Sequence, residues 1–242
     1  MAAGVLAKSG YFMGDHLNPA NETNPKGQFE DREVNSINEL LLEPIVPSRP
    51  RGLIGKILFR DRPKFGQRWL ARIPLDAVVV CSSHLADKIK ALTSREPFCF
   101  KDPRFSYTLP AWRPYLNNTV FICVFRDPRR VVASILKQSQ TVDHLKDFRI
   151  NTAQAFEVWE HMYSHILKKH YQEGGEWIFL HYEQFLDGSA FPILEEALKA
   201  KVDRCFVDRQ LNRSVPVSKI PDDVYAIYVK LCHLASFSPS TE

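Results

Sequence analysis

The 242-residue chain contains no apolar stretch approaching the ~20 residues that a membrane-spanning helix needs. Its opening, MAAGVLAKSGYFMGD, is too short and too weakly apolar for a secretory signal. The five cysteines (Cys81, Cys99, Cys123, Cys205, Cys232) are odd in number, scattered and without a C-x-x-C spacing. That argues against a disulfide framework and a metal site, and predicts a reducing, cytoplasmic setting. No block of like charge appears, and no basic stripe interleaved with aromatics. A formal charge of +4 and a pI near 8.7 are too mild for nucleic acid but suit an anionic small molecule or glycan. Repeats, low-complexity tracts and long linkers are also missing. With 45% hydrophobic and 25% charged residues, the chain reads as one sizeable α/β domain over residues 1–242.

What is present is best seen in residues 119–138, TVFICVFRDPRRVVASILKQ. The run from Thr119 to Phe125 predicts a buried strand. It ends in Arg126-Asp127-Pro128 and gives way to a helical pattern, Val131, Val132, Ile135, Leu136. Proline suits the first helical position, where its missing N–H would be unpaired anyway. An arginine thus stands at the carboxyl end of a strand and Ser134 lies two turns into the next helix. Ligands of open parallel sheets bind at that edge. A guanidinium and a hydroxyl there can grip a phosphate through charge-assisted hydrogen bonds; a surface Arg–Asp pair with a solvent-facing serine is the alternative.

Further short β-rich runs are Ala77–Cys81, Phe98–Lys101 and Trp177–His181. Helical patterns occupy residues 1–13 (Gly14 as C-cap), Glu30–Leu42, Gly66–Arg72, His84–Thr93, Ser106–Tyr115, Pro128–Gln138, Asn151–Tyr171, Pro192–Lys201 and Asp222–Ala235. Pro44, Pro47 and Pro50 mark an irregular bridge. Strands alternating with helices predict a parallel sheet covered on both faces. Phe98–Lys101 also ends in charge, so Lys101, Asp102 and Arg104 belong at the same edge as Arg126; an exposed loop with internal ion pairs is the other reading.

The context F-R-D-P-R-x-V-x-A-S resembles the 3′-phosphate-binding segment of the sulfotransferases that use 3′-phosphoadenosine 5′-phosphosulfate (PAPS). K-D-P-R followed by T-L-P-x-W (from Lys101) and F-M-G-D…N-P-A-N-E-x-N-P-K-G-x-F-E-D (residues 12–31) resemble stretches of the bacterial members. WIFLHYEQFL (Trp177–Leu186) and FVDRQLNRS (Phe206–Ser214) are similar to later family segments, so the likeness spans about residues 4–214 in order.

The resemblance implies a three-layer, P-loop-like α/β fold in which PAPS gives up a sulfuryl group to a hydroxyl of a glycan or small metabolite. Arg126 and Ser134 would hold the 3′-phosphate, Arg213 or Arg209 would add a contact, and Lys101 would offset charge on the transferring group. Glu30 or Asp102 would be the general base, since the position after Lys101 holds no histidine; Glu30 reads equally as a helix N-terminal carboxylate.

The family's Gly-rich phosphosulfate loop, and the first central strand that carries it, have no counterpart in the sequence. That absence predicts a chain shortened at its N-terminus, or a sheet rearranged to close the gap. A nucleotide-binding remnant without activity, and a structural or partner-binding domain, are the non-enzyme alternatives. Oligomeric state and acceptor identity are not encoded in any motif here.

Overall fold

Two apolar runs pair to form the sheet of this protein. In the computed structural model β1 (Val120–Phe125) lies parallel to β2 (Glu176–His181), with Val120 opposite Glu176 and Phe125 opposite His181. The structure describes residues 1–242 except 21–24, 144, 146, 209–215, 217–218 and 240–242. Before β1 come α1 (Ala2–Lys8), α2 (Arg32–Leu42), α3 (Gly52–Leu58), α4 (Ser83–Thr93) and α5 (Phe105–Trp112). The crossover holds α6 (Pro128–Thr141) and α7 (Thr152–His165). After β2 follow α8 (Tyr182–Asp187), α9 (Ala190–Leu198) and α10 (Asp222–Leu234). None of the helices described is long and apolar enough to cross a membrane.

Strand alternation sends side chains to two cores. Cys123, Phe125 and Phe179 pack with residues of α6, α7 and α10 on one face. Val120, Ile122, Val124, Ile178 and Leu180 pack with α1, α8 and α9 on the other. Helices therefore cover both faces, as the alternating pattern predicted. A third cluster joins α2, α4 and α5 around Ile37, Ile89 and Trp112.

Helix boundaries follow local chemistry. Asp127 caps α6 by accepting from the Arg129 N–H at 2.8 Å, with Pro128 at the first position. Asp31 caps α2 through the N–H groups of Glu33 and Val34. Helix α1 stops at Lys8 rather than running to Gly14, because Gly10 turns the chain left-handed (φ +93°). Gly66–Arg72 contributes only a short 3₁₀ turn, Arg68–Leu70.

Two expected strands do not join the sheet. Ala77–Cys81 is extended without a ladder, with Val78 and Val80 exposed and Val79 and Cys81 packed inward. Phe98–Lys101 makes only an isolated parallel bridge, in which the Cys99 N–H donates to the Phe12 carbonyl at 2.8 Å. The physical reason is the same for both: an apolar run becomes a strand only where a neighbouring backbone supplies hydrogen bonds. Among the described residues no rearranged sheet closes the gap. Instead a cavity of about 1480 Å³ is lined both by Phe98–Lys101 and by Val120–Val124.

Candidate functional site

The carboxyl ends of the two strands carry the cationic side chain that the sequence singled out. Arg126 follows β1 directly, and its guanidinium stacks 4.5 Å from the ring of Tyr182, the first residue of α8 after β2. Burial pulls its pKa below the usual value, with Tyr182 opposing that pull and Arg130 adding to it; an arginine stays charged regardless. Burial alone would push the neighbouring Asp127 carboxyl up. The donated hydrogen bonds and charge of Arg129 override it and hold Asp127 below its ordinary value. The Arg129–Asp127 pair, at 2.7 Å, thereby fixes the turn from which Arg126 projects.

Ser134 lies on α6 and lines the same large cavity as Arg126 and Lys101. Its Oγ accepts from Gln138 Nε2 at 3.1 Å, and Gln138 lines the cavity too. The i, i+4 spacing puts serine and glutamine on one helix face. Gln138 and Tyr182 had not been singled out from the sequence; the spacing from Ser134 would have found the first, whereas Tyr182 needs the parallel pairing of β1 and β2.

On the Phe98–Lys101 side, Lys101 Nζ is ion-paired with the Glu30 carboxylate, which is mostly shielded from solvent at 14% exposure. Lys101 lines the cavity and Glu30 does not, so the pair links the loop before α2 to the cavity through Lys101.

Asp102 is placed differently. It is buried, and its oxygens accept from Asn35 Nδ2 (2.7 Å), Asn38 Nδ2 (3.0 Å), the Arg104 N–H (2.8 Å) and Arg104 Nη1 (2.8 and 2.9 Å). A carboxylate with this many donors has no lone pair open to an acceptor hydroxyl, so the geometry gives Asp102 to the scaffold. Arg104, expected at the sheet edge, is buried beside it and bonds Glu39 and the Gly66 carbonyl. Arg213 and Arg209 lie outside the described residues.

A planar guanidinium (Arg126), a hydroxyl (Ser134), a carboxamide (Gln138) and an ammonium (Lys101) all border one cavity. No family model matches the chain, and neither the curated proteins nor the solved structures yield a match.

Proposed function

We propose that the chain binds a 3′-phosphorylated adenine nucleotide, with Arg126 and Ser134 holding the 3′-phosphate, as a homologue of the PAPS-dependent sulfotransferases. The observation that carries this reading is the shared cavity: Arg126 at the end of β1 and Ser134 on α6 both open onto it. Helices on both faces of a parallel sheet agree with the P-loop-like, three-layer fold that the sequence resemblance implies. In the full reaction, Glu30 takes the proton of an acceptor hydroxyl on a glycan or small metabolite. The hydroxyl oxygen then bonds to sulfur, and the sulfur–oxygen bond to the 5′-phosphate breaks, releasing adenosine 3′,5′-bisphosphate. Lys101 offsets negative charge on the sulfuryl group as it passes. Nucleotide binding without transfer is the second reading, favoured by the lack of a Gly-rich turn to cradle the 5′-phosphosulfate.

Calorimetric titration with adenosine 3′,5′-bisphosphate tests the site. Arg126→Ala should weaken binding by more than about tenfold, since a charged hydrogen bond to phosphate contributes roughly 1.5–3 kcal/mol. Arg126→Lys should recover only part of the loss, because an ammonium is a point charge and not a fork. Adenosine 5′-monophosphate should bind more weakly than the bisphosphate to the unsubstituted protein and equally to Arg126→Ala. Unchanged affinity in Arg126→Ala would remove the assignment. Transfer of label from PAPS then separates the enzyme from the binding-only reading.

A further inference from the structure

Helix α3 turns its apolar side chains away from the protein. Leu53, Ile54, Ile57 and Leu58 are 64–76% exposed and take no part in the core clusters. Spacings of three and four gather them into one stripe. The face turned inward is glycine: Gly55 is buried, and a Cβ there would collide with the Pro50 carbonyl oxygen. Seven residues gain little as a helix in water on their own, so closure of the surrounding loop shapes this one. Buried Arg49 supplies that closure. Its N–H donates to the Pro63 carbonyl (3.0 Å), Nε to the Arg62 carbonyl (3.0 Å) and Nη2 to the Arg60 carbonyl (2.8 Å). Its Nη1 ties the base to the Asp147 carbonyl at 3.0 Å. Residues 49–63 therefore form a compact loop with pinned ends and an apolar helix in its middle.

Charge around the stripe is of one sign. Residues 48–65 hold six Lys/Arg and one Asp, a formal +5 where the whole chain carries +4. Arg51 and Arg62 are exposed, with the Arg62 guanidinium 4.5 Å over the Phe59 ring, and Phe65 is 55% exposed. The one acidic residue there, Asp61, is exposed. The segment 143–149 that Arg49 grips is neutral, with two Asp, one Lys and one Arg, and its Asp147 pairs with Lys64 at 2.9 Å. We infer that α3 and its basic surround dock the protein on an anionic lipid surface, the helix lying in the plane of the headgroup layer. An apolar protein face would meet the aliphatic stripe alone. An anionic bilayer meets both features, with acyl chains for the stripe and headgroup charge for the arginines. A short stripe gives only marginal, reversible attachment, and the cations add the second attraction that makes it effective. None of this rests on Arg126 or on the nucleotide.

Co-sedimentation of the full chain with vesicles of phosphatidylcholine and phosphatidylserine, at about 7:3, is the test. Half-saturation should fall on the order of 0.1–1 mM accessible lipid. Raising NaCl from about 0.1 M to 1 M shortens the Debye length from about 10 to 3 Å and should weaken binding about tenfold or more. The double variant Ile54→Gln/Ile57→Gln should bind about tenfold or more weakly for want of apolar area. Arg51→Gln/Arg62→Gln should do the same for want of charge. Both variants should melt within a few degrees of the parent, because they alter exposed side chains only. Vesicle binding that survives in both variants would place the contact at another basic site, Arg126 included, and overturn the proposal. Equal binding to pure phosphatidylcholine, or none to either vesicle, would overturn it too. A concentration-dependent dimer without lipid, lost in Ile54→Gln/Ile57→Gln, would make a second copy the occupant and likewise refute it.

Discussion

Glu39→Gln should lower the stability of this protein by about 3–5 kcal/mol, enough to drop its melting temperature by roughly 10–15 °C. Glu39 is 1% exposed on α2 and holds two buried arginines. One oxygen accepts from the Arg68 N–H at 3.0 Å and Arg104 Nε at 2.7 Å, and the other from Arg68 Nη1 at 2.7 Å. Arg68 is wholly buried, its remaining donors bonded to the Val46 carbonyl, Ser48 Oγ and Glu43. Burial alone would pull the pKa of Arg104 down, yet Asp102 and Glu39 hold it above the usual arginine value. Neither guanidinium can shed its proton, so removing the Glu39 charge leaves buried Arg104 with Asp102 alone and buried Arg68 with only the half-exposed Glu43 carboxylate at 3.3 Å. Asp15→Asn is the matched control. It removes an equally close ion pair, Arg95–Asp15 at 2.5 Å, with both side chains more than half exposed, and should cost no more than about 1 kcal/mol. Thermal melts of the two variants decide the matter; equal small shifts would show that the buried cluster carries no special weight.

That cluster also shows where the sequence stops being readable. Asp102 and Arg104 stand in Lys101-Asp102-Pro103-Arg104, a run of charges after an apolar stretch, which in sequence looks like a solvent-facing edge. Only the arrival of Asn35, Asn38 and Glu39 from α2, more than sixty residues away, seals them inside. Local chemistry, by contrast, was plain: Asp127-Pro128 announced the start of α6 and the apolar runs announced β1 and β2. Helix α3 is the opposite case. Pro44, Pro47 and Pro50 pointed to an irregular bridge, yet Gly52–Leu58 is helical, and its Leu53, Ile54, Ile57 and Leu58 stay exposed rather than facing a core. The candidate site was legible where one strand–turn–helix carries it, as with Arg126 and Ser134. It was hidden where it depends on what packs beside that unit, as with Tyr182 from the start of α8.

Acid should unfold the protein well above the range where carboxylates titrate, because three histidines are buried in their neutral form. His165, His170 and His181 are each 2% exposed or less. His165 Nε2 meets the Ile73 carbonyl at 2.9 Å and His170 Nε2 the Ser106 carbonyl at 2.8 Å, so each donates a proton there as the neutral ring. His181 accepts from the Glu183 N–H at Nδ1, which requires that nitrogen to be bare. Burial pulls all three from 6.5 to about 4; the Ile73 and Ser106 carbonyls and, for His181, Asp127 oppose the shift only in part.

An unfolded chain takes up these protons near pH 6.5 and the folded one not until about pH 4. The unfolded state therefore binds more protons throughout that window, and stability is lost as pH falls through it. Each histidine contributes a slope of up to about 1.4 kcal/mol per pH unit, so the three together reach roughly 4 kcal/mol per unit. Over the window that sums to about 10 kcal/mol, the size of a typical domain's entire stability. Urea titrations between pH 8 and 4.5 should show a midpoint that is flat above pH 7 and falls steeply below 6. His165→Gln and His170→Gln keep a donor for the facing carbonyl and remove the titrating ring. Each should flatten the fall by about one third, and a slope unchanged in both variants would place the proton uptake elsewhere.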